Sequence, residues 1–302
     1  IDEQVAVLWL AGDSYDGDWK DYQTGLYFVR KMAQLRAAKI PVFVIAGNHD
    51  AGNRMTRALD LPDNVTWFSG RRPETVRLED CGGLGVAIHG QSFATAAVTD
   101  DLSAGYPAAV AGCFNIGLLH TSATGREGHE NYAPCTIEGL VAKRYDYWAL
   151  GHVHTHEVLH RDPWIVFPGN IQGRHIRESG PKGCMLVTVG DDGRVDPKSV
   201  AGIAPLDVLR WEPCEVDATD AATPAELMER LGHQIERLVG QAADRPLAIR
   251  VALRGECAAH DLITADPDRW INEVRATGST VGGGKVWIEQ VRFRTAPPRQ
   301  LD

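Results

Sequence analysis

Apolar residues in the first two-thirds of the chain fall into short unbroken runs, separated by polar stretches of helical length. Residues 5–10 (VAVLWL) form one such run, and an uninterrupted apolar stretch of this length predicts a strand covered on both faces. Residues 41–46 (PVFVIA) predict a second, entered through a proline that a strand tolerates at its first position. Between them, residues 22–38 place Leu26, Val29 and Ala33 on one helical face and Arg30, Lys31 and Gln34 elsewhere. Further strands are predicted at 85–89, 115–120, 147–151, 164–167 and 185–189, with a helix over 136–143. Strands interleaved with helices predict an α/β layered domain.

Beyond Ala204-Pro205-Leu206 the pattern changes. Residues 225–239 carry Leu227, Leu231, Ile235 and Leu238 at helical spacing, with Thr223 as N-cap ahead of Pro224. A strand at 247–253, a helix at 267–276 and an alternating strand at 286–293 complete a second, smaller α/β domain. The expected division is therefore 1–204 and 205–302. The Gly282-Gly283-Gly284 run precedes a strand and reads as a turn, not as a phosphate loop.

Composition narrows the classes. A chain of 302 residues suits two domains, and none of its apolar runs approaches bilayer-spanning length. The formal net charge of -9 argues against a general nucleic-acid coating protein. It leaves room for a site of metal-binding carboxylates, which cations neutralise. Six cysteines without a Cys-x-x-Cys pair predict reduced thiols in a cytoplasmic protein. The start at Ile1-Asp2-Glu3, running almost at once into a strand, reads as an entry in mid-domain, with the first strand of the domain lacking.

Four pieces share one layout, a strand followed by a residue able to bind metal. They are Ala11-Gly12-Asp13, Gly47-Asn48-His49-Asp50, His120 after residues 116–119, and Gly151-His152-Val153-His154. Loops at the carboxyl ends of strands converge on one crevice in an open α/β sheet. Asp, Asn and His together suit Mn²⁺, Fe or Zn²⁺ and disfavour a thiolate site. A carboxylate such as Asp13 has two oxygens with which to bridge a pair of cations. His152 and His154, two apart, point to one side of an extended segment.

These motifs, in this order, resemble the calcineurin-like metallophosphoesterases. Residues 11–16 (AGDSYD), 117–121 (GLLHT) and 167–170 (FPGN) are similar to the SbcD-type DNA-repair exonuclease branch. The resemblance implies a β-sandwich flanked by helices, with the smaller domain as a DNA-facing cap. It implies Asp13 as bridging ligand, Asn48, His120 and His152 completing one metal site, and His154 serving the other. His49 would assist the phosphate or leaving oxygen, with Asp50 holding its ring. Two divalent cations, Mn first among them, would be the cofactors. DNA and an SbcC-like ATPase subunit would be partners; the branch allows a homodimer and implies no membrane. Members carry an Asp-x-His motif on their first strand, and nothing upstream of Asp13 matches it, so the second metal keeps only Asp13 and His154.

Other residues take plainer readings. Arg174 and Arg177 are candidates for binding substrate phosphate bidentately, with surface pairing to Glu178 as the alternative. His156 reads as an exposed strand histidine and His89 as structural or near the site. Asp16 is evenly balanced between site and solvent, and Arg71, Arg72 and Arg126 read as solvated loop charges. The activity expected is hydrolysis of phosphodiester bonds in DNA by a two-metal route. A phosphodiesterase or phosphatase for small nucleotides, or a metal-poor interaction module, are the alternatives.

Overall fold

The computed structural model describes residues 1–15, 22–52, 59–125 and 130–298. They divide into two compact units, one made of residues Ile1–Gly169 and Met185–Ile203, the other of Asn170–Cys184 and Ala204–Asp302.

In the first unit, β1 (Leu8–Ala11), β2 (Val42–Ile45) and β3 (Val65–Trp67) form a parallel sheet in that order. Helix α1 (Gln23–Ala37) joins β1 to β2, and the short α2 (Asn48–Gly52) follows β2. The second sheet contains β4 (Glu74–Leu78), β5 (Val86–Gly90), β6 (Phe114–His120), β7 (Tyr147–Gly151), β8 (Glu157–Arg161) and β9 (Trp164–Phe167). Its order is β4-β5-β6-β7-β9-β8, parallel within and antiparallel at both edges. Helix α3 (Ile137–Ala142) lies between β6 and β7 in sequence, and Thr136 caps it by accepting the Gly139 N–H.

The two-residue period of the strands sorts their side chains into layers. Phe43 and Ile45 of β2 meet Ile116, Leu118, Tyr147 and Ala149 in one core between the sheets. The alternate residues Val42 and Val44 pack outward with Met32, Phe28 and Leu35 of α1. On the far side, Leu119, Trp148 and Leu150 pack with Leu140 of α3 and Tyr145. This is the mixed α/β architecture, sheets flanked by helices, that the sequence pattern predicts.

Several local expectations change. Strand β1 begins at Leu8 instead of residue 5, and all four residues are only half-buried because, among the described residues, β1 is an edge that pairs only with β2. The inward face of α1 is Gly25, Phe28, Met32 and Leu35, whereas Leu26 is 55% exposed. The stripe through Phe28, Met32 and Leu35 has the same helical period as the one expected, rotated about the axis. Residues 185–189 add no strand beyond a single bridge from Val189 to Val195, although Met185, Val187 and Val189 pack on the core. Strands β4 (ETVRL) and β8 (EVLHR), at the sheet edges, mix charged and polar residues among their apolar ones, as strands partly open to solvent do.

In the second unit, β12 (Arg210–Asp217), β13 (Leu247–Glu256) and β14 (Val286–Ala296) form a parallel sheet with β13 central. Three helices, α4 (Pro224–Gln241), α5 (His260–Ala265) and α6 (Pro267–Val281), connect these strands, and residues 282–284 form the turn before β14. Thr223 accepts the Glu226 N–H at 3.3 Å, and Leu227, Leu231 and Ile235 of α4 bury against Ile249, Val251 and Leu253. The chain enters this unit twice, at Asn170–Cys184 and again from Ala204. The short strands β10 (Gly183–Cys184) and β11 (Ala204–Pro205) pair antiparallel. Trp211 donates to the Gly173 carbonyl at 3.0 Å, and Gln172 accepts the Val208 N–H at 2.9 Å.

His89 is structural. It is fully buried, contacts Thr75 Oγ1 at 2.8 Å and Asn115 Oδ1 at 3.1 Å, and stacks on Tyr145 at 4.3 Å. Burial, partly offset by the Asn115 contact, holds its pKa below the ordinary 6.5. Below pH 6.5 the unfolded chain therefore takes up a proton that the folded chain still refuses. This contribution is complete above pH 6.5 and is lost as pH falls toward the folded value. Urea unfolding between pH 7.5 and 5 should show a shallower loss of stability in His89→Gln than in the wild type over that window.

Candidate metal centre

The carboxyl ends of β1, β2, β6 and β7 meet at one place. His120 ends β6 and pairs in register with Gly151, which ends β7. Ala11 ends β1 in register with Ile45, which ends β2. Two of the side chains delivered there sit on left-handed backbone, Asp13 at φ 51° and His152 at φ 100°. Such conformations are uncommon for residues other than glycine and mark locally constrained backbone.

Two glycines permit the approach. A Cβ on Gly47 would fall 2.2 Å from Asp13 Oδ1 and 2.6 Å from His120 Cε1, and one on Gly151 would fall 1.8 Å from the Ala11 carbonyl oxygen. Turn propensity is the obvious reading of these glycines in the sequence; in the fold, close packing of strand ends is what excludes a side chain.

Asp13, His120 and His152 each bring a donor atom within 4.8 Å of the other two. Asp13 Oδ1 accepts the His49 main-chain N–H at 3.0 Å, and Oδ2 lies 3.3 Å from His120 Nε2. Asn48 Oδ1 is 3.1 Å from the same Nε2. The other ring nitrogen, Nδ1, lies 2.9 Å from the Ala11 carbonyl oxygen. A carbonyl only accepts, so in neutral His120 the proton sits on Nδ1 and Nε2 presents a lone pair. That lone pair then confronts two oxygen acceptors, an arrangement that a cation between them resolves. His152 Nε2 similarly faces the Glu130 carbonyl oxygen at 2.8 Å, leaving Nδ1 as the lone-pair nitrogen. Such carbonyl contacts orient histidine ligands and fix their tautomers. Phe93 packs edge-on to His120 at 5.2 Å, and Tyr132 lies 5.7 Å from His152. This mixed oxygen and nitrogen donor set fits a borderline divalent cation.

The carboxylates here differ in environment. Burial alone would raise the Asp13 pKa, but a His120 that carries a second proton, on Nε2, donates to Asp13 and adds its charge, and with help from His49 this brings the value below the ordinary one; a cation at that place takes the proton's part. Asp50 goes the other way. Its burial, reinforced by the charge of Asp13, raises its pKa despite the main-chain N–H groups it accepts.

The remaining expected residues are placed as follows. His49 is exposed at the start of α2. The Asp50 oxygens accept the main-chain N–H groups of Ser14, Tyr15 and Gly47. His154 is half-buried and outside the three-residue group. His156 is not the exposed residue expected: its Nε2 is buried without a hydrogen-bond partner, and burial lowers its pKa. Arg174 and Arg177 are exposed in the second unit, where Arg174 lies 3.6 Å from the buried Glu178. Asp16 and Arg126 lie outside the described residues. Sequence reasoning missed Phe93, Tyr132 and the Glu130 carbonyl, none of which stands in a motif.

Residues 1–156 match the family model of the calcineurin-like phosphoesterases. The chain belongs to that family. Residues 211–296 match a second model, the middle domain of metallophosphoesterase YhaO. The chain is 34% identical over 256 residues to the uncharacterized metallophosphoesterase YhaO of Bacillus subtilis (strain 168), covering 84% of this chain and 61% of that protein. It is 28% identical over 168 residues to the DNA double-strand break repair protein Mre11 of Sulfurisphaera tokodaii, covering 54% of this chain and 42% of that one. The chain thus spans about three-fifths and two-fifths of these curated relatives. Members of the family are hydrolases of phosphoester bonds that use divalent metals. Among the described residues, no helix is long and apolar enough to cross a membrane.

A bound cation stabilises the folded state by mass action, about 2.7 kcal/mol at a hundredfold excess over its Kd. Added Mn²⁺ should raise the wild-type Tm in a scanning calorimeter. The increment should vanish in Asp13→Asn and in Gly47→Ala, whose new methyl would displace Asp13 and His120.

Proposed function

We propose that this protein is a metal-dependent phosphodiesterase that cuts DNA, related to the SbcD-type repair nucleases, with Mn²⁺ as the preferred cation. The observation that carries the metal-dependent reading is the His120 Nε2 lone pair facing Asp13 Oδ2 and Asn48 Oδ1, at the meeting of four strand ends. DNA as substrate draws on the likeness to a relative named as a double-strand break repair protein, and on motif similarity to the SbcD-type branch. An SbcC-like ATPase subunit is the partner this reading implies.

Divalent cations held by Asp13, Asn48, His120 and His152, with His154 serving the second, would activate water and stabilise charge on the phosphoryl oxygens. The chain's own groups do the rest. Ala11 and Glu130 orient the two histidines through carbonyl contacts. The exposed His49 imidazole binds the phosphate or gives a proton to the leaving oxygen, while its main-chain N–H steadies Asp13. Arg174 and Arg177, in the second unit, are the candidate phosphate-binding side chains of this proposal, with Arg177 the stronger because Arg174 lies beside Glu178. The net charge of -9 favours a second reading, a small-nucleotide phosphodiesterase, since a polyanion is repelled by an acidic surface.

With Mn²⁺, the protein should release nucleotides from duplex DNA, and His49→Ala should lower kcat by about 10² to 10⁴-fold, the usual range for losing a general acid. Hydrolysis of cyclic or dinucleotides without cleavage of DNA would instead establish the second reading. No hydrolysis of either substrate under Mn²⁺, Fe²⁺ or Zn²⁺ would refute both.

A further inference from the structure

We propose that Asp50 is a positioning residue which sets the metal affinity of the centre by clamping two ligand-bearing loops together, and that it does not act through His49. The proposal rests on the metal-centre reading above. Asp50 is 2% exposed, and its side chain contacts main chain on two separate segments. Oδ2 accepts the Gly47 N–H at 3.1 Å and the Ser14 N–H at 3.2 Å. Oδ1 accepts the Tyr15 N–H at 3.2 Å. Ser14 and Tyr15 directly follow Asp13, and Gly47 directly precedes Asn48.

One carboxylate therefore ties the loop after β1, which delivers Asp13, to the loop after β2, which delivers Asn48. The tie matters because Asp13 is held at φ 51°, a left-handed conformation uncommon outside glycine that Asp adopts more readily than most residues but that still leaves its loop locally constrained. A loop so constrained keeps its geometry only while surrounding contacts over-determine it. His49 leaves the same short helix but is exposed, whereas Asp50 turns into the fold beneath it. The two neighbours thus divide the work: His49 faces substrate, and Asp50 holds the ligands in place.

Asparagine at position 50 keeps one acceptor oxygen but turns an NH₂ group toward a main-chain N–H, which loosens the clamp without removing a ligand. Mn²⁺ titration of Asp50→Asn, followed by calorimetry, should give a Kd about 10 to 100-fold weaker than wild type, the usual effect of losing a partner that orients ligands. Hydrogen exchange should quicken at the Ser14, Tyr15 and Gly47 amides. At saturating Mn²⁺, kcat should return to near the wild-type value, and without Mn²⁺ the far-UV circular dichroism should match that of the wild type, which a general loss of folding would not allow. Asp50→Glu keeps the charge and lengthens the side chain; it should weaken Mn²⁺ in the same direction and serves if Asp50→Asn does not fold.

Unchanged Mn²⁺ affinity with kcat reduced to the level of His49→Ala would overturn the proposal and return Asp50 to the role of holding the His49 ring. Unchanged affinity with unchanged amide protection would overturn it too. If no substrate is hydrolysed by the wild type, the proposed function falls, while the Mn²⁺ titration and the amide exchange still decide the role of Asp50.

Discussion

Everything distinctive in the first unit depends on four strand ends approaching more closely than side chains permit. The Ala11 carbonyl lies where the Gly151 side chain would be, and the same carbonyl is 2.9 Å from His120 Nδ1. That contact fixes β1, β6 and β7 relative to one another and sets which nitrogen of His120 faces Asp13. Gly47 completes the arrangement from β2, with no room for a methyl between Asp13 and His120. Packing and chemistry are inseparable here, because the carbonyl that closes the sandwich also selects the tautomer.

The layered cores on either side make this precision affordable. The same alternation that sends Leu118 into the core between the sheets sends His120, two residues on, toward β1. Trp148 and Leu150 bury on the opposite face, so β7 cannot shift register without exposing one layer and overfilling the other. The ligands at the strand ends inherit that registration. Asp13 and His152, by contrast, are carried by loops in left-handed backbone, and such positions need extra contacts. Asp50 supplies these for Asp13, and the Glu130 carbonyl meets the ring of His152.

Most of the architecture was legible from hydrophobic pattern. The strands 147–151 and 164–167 fall where unbroken apolar runs placed them, and α4 carries the cap that Thr223-Pro224 announces. The failures share a cause. Edge strands such as β4 and β8 have no apolar run, since one side faces solvent. The phase of α1 was misread because Leu26, an apolar residue, remains exposed beside the true stripe. Residues 185–189 have strand composition yet form only one bridge, as hydrogen-bonding neighbours cannot be read from a segment alone.

The chain by itself determined the family and the donor types: Asp13, Asn48, His120 and His152 stand in recognisable motifs, and their order carried the resemblance. What each side chain touches was decided only by tertiary structure. Asp50 looks like a partner for its neighbour His49, but it accepts from main chain, at Gly47 nearby and at Tyr15 and Ser14, 35 and 36 residues away. His156 looks like a solvent-facing residue and has a buried ring nitrogen instead. Motifs record which chemical groups are present because residue type is local. Hydrogen-bond partners, tautomers and burial depend on segments far apart in sequence, and they exist only once the sheets have packed.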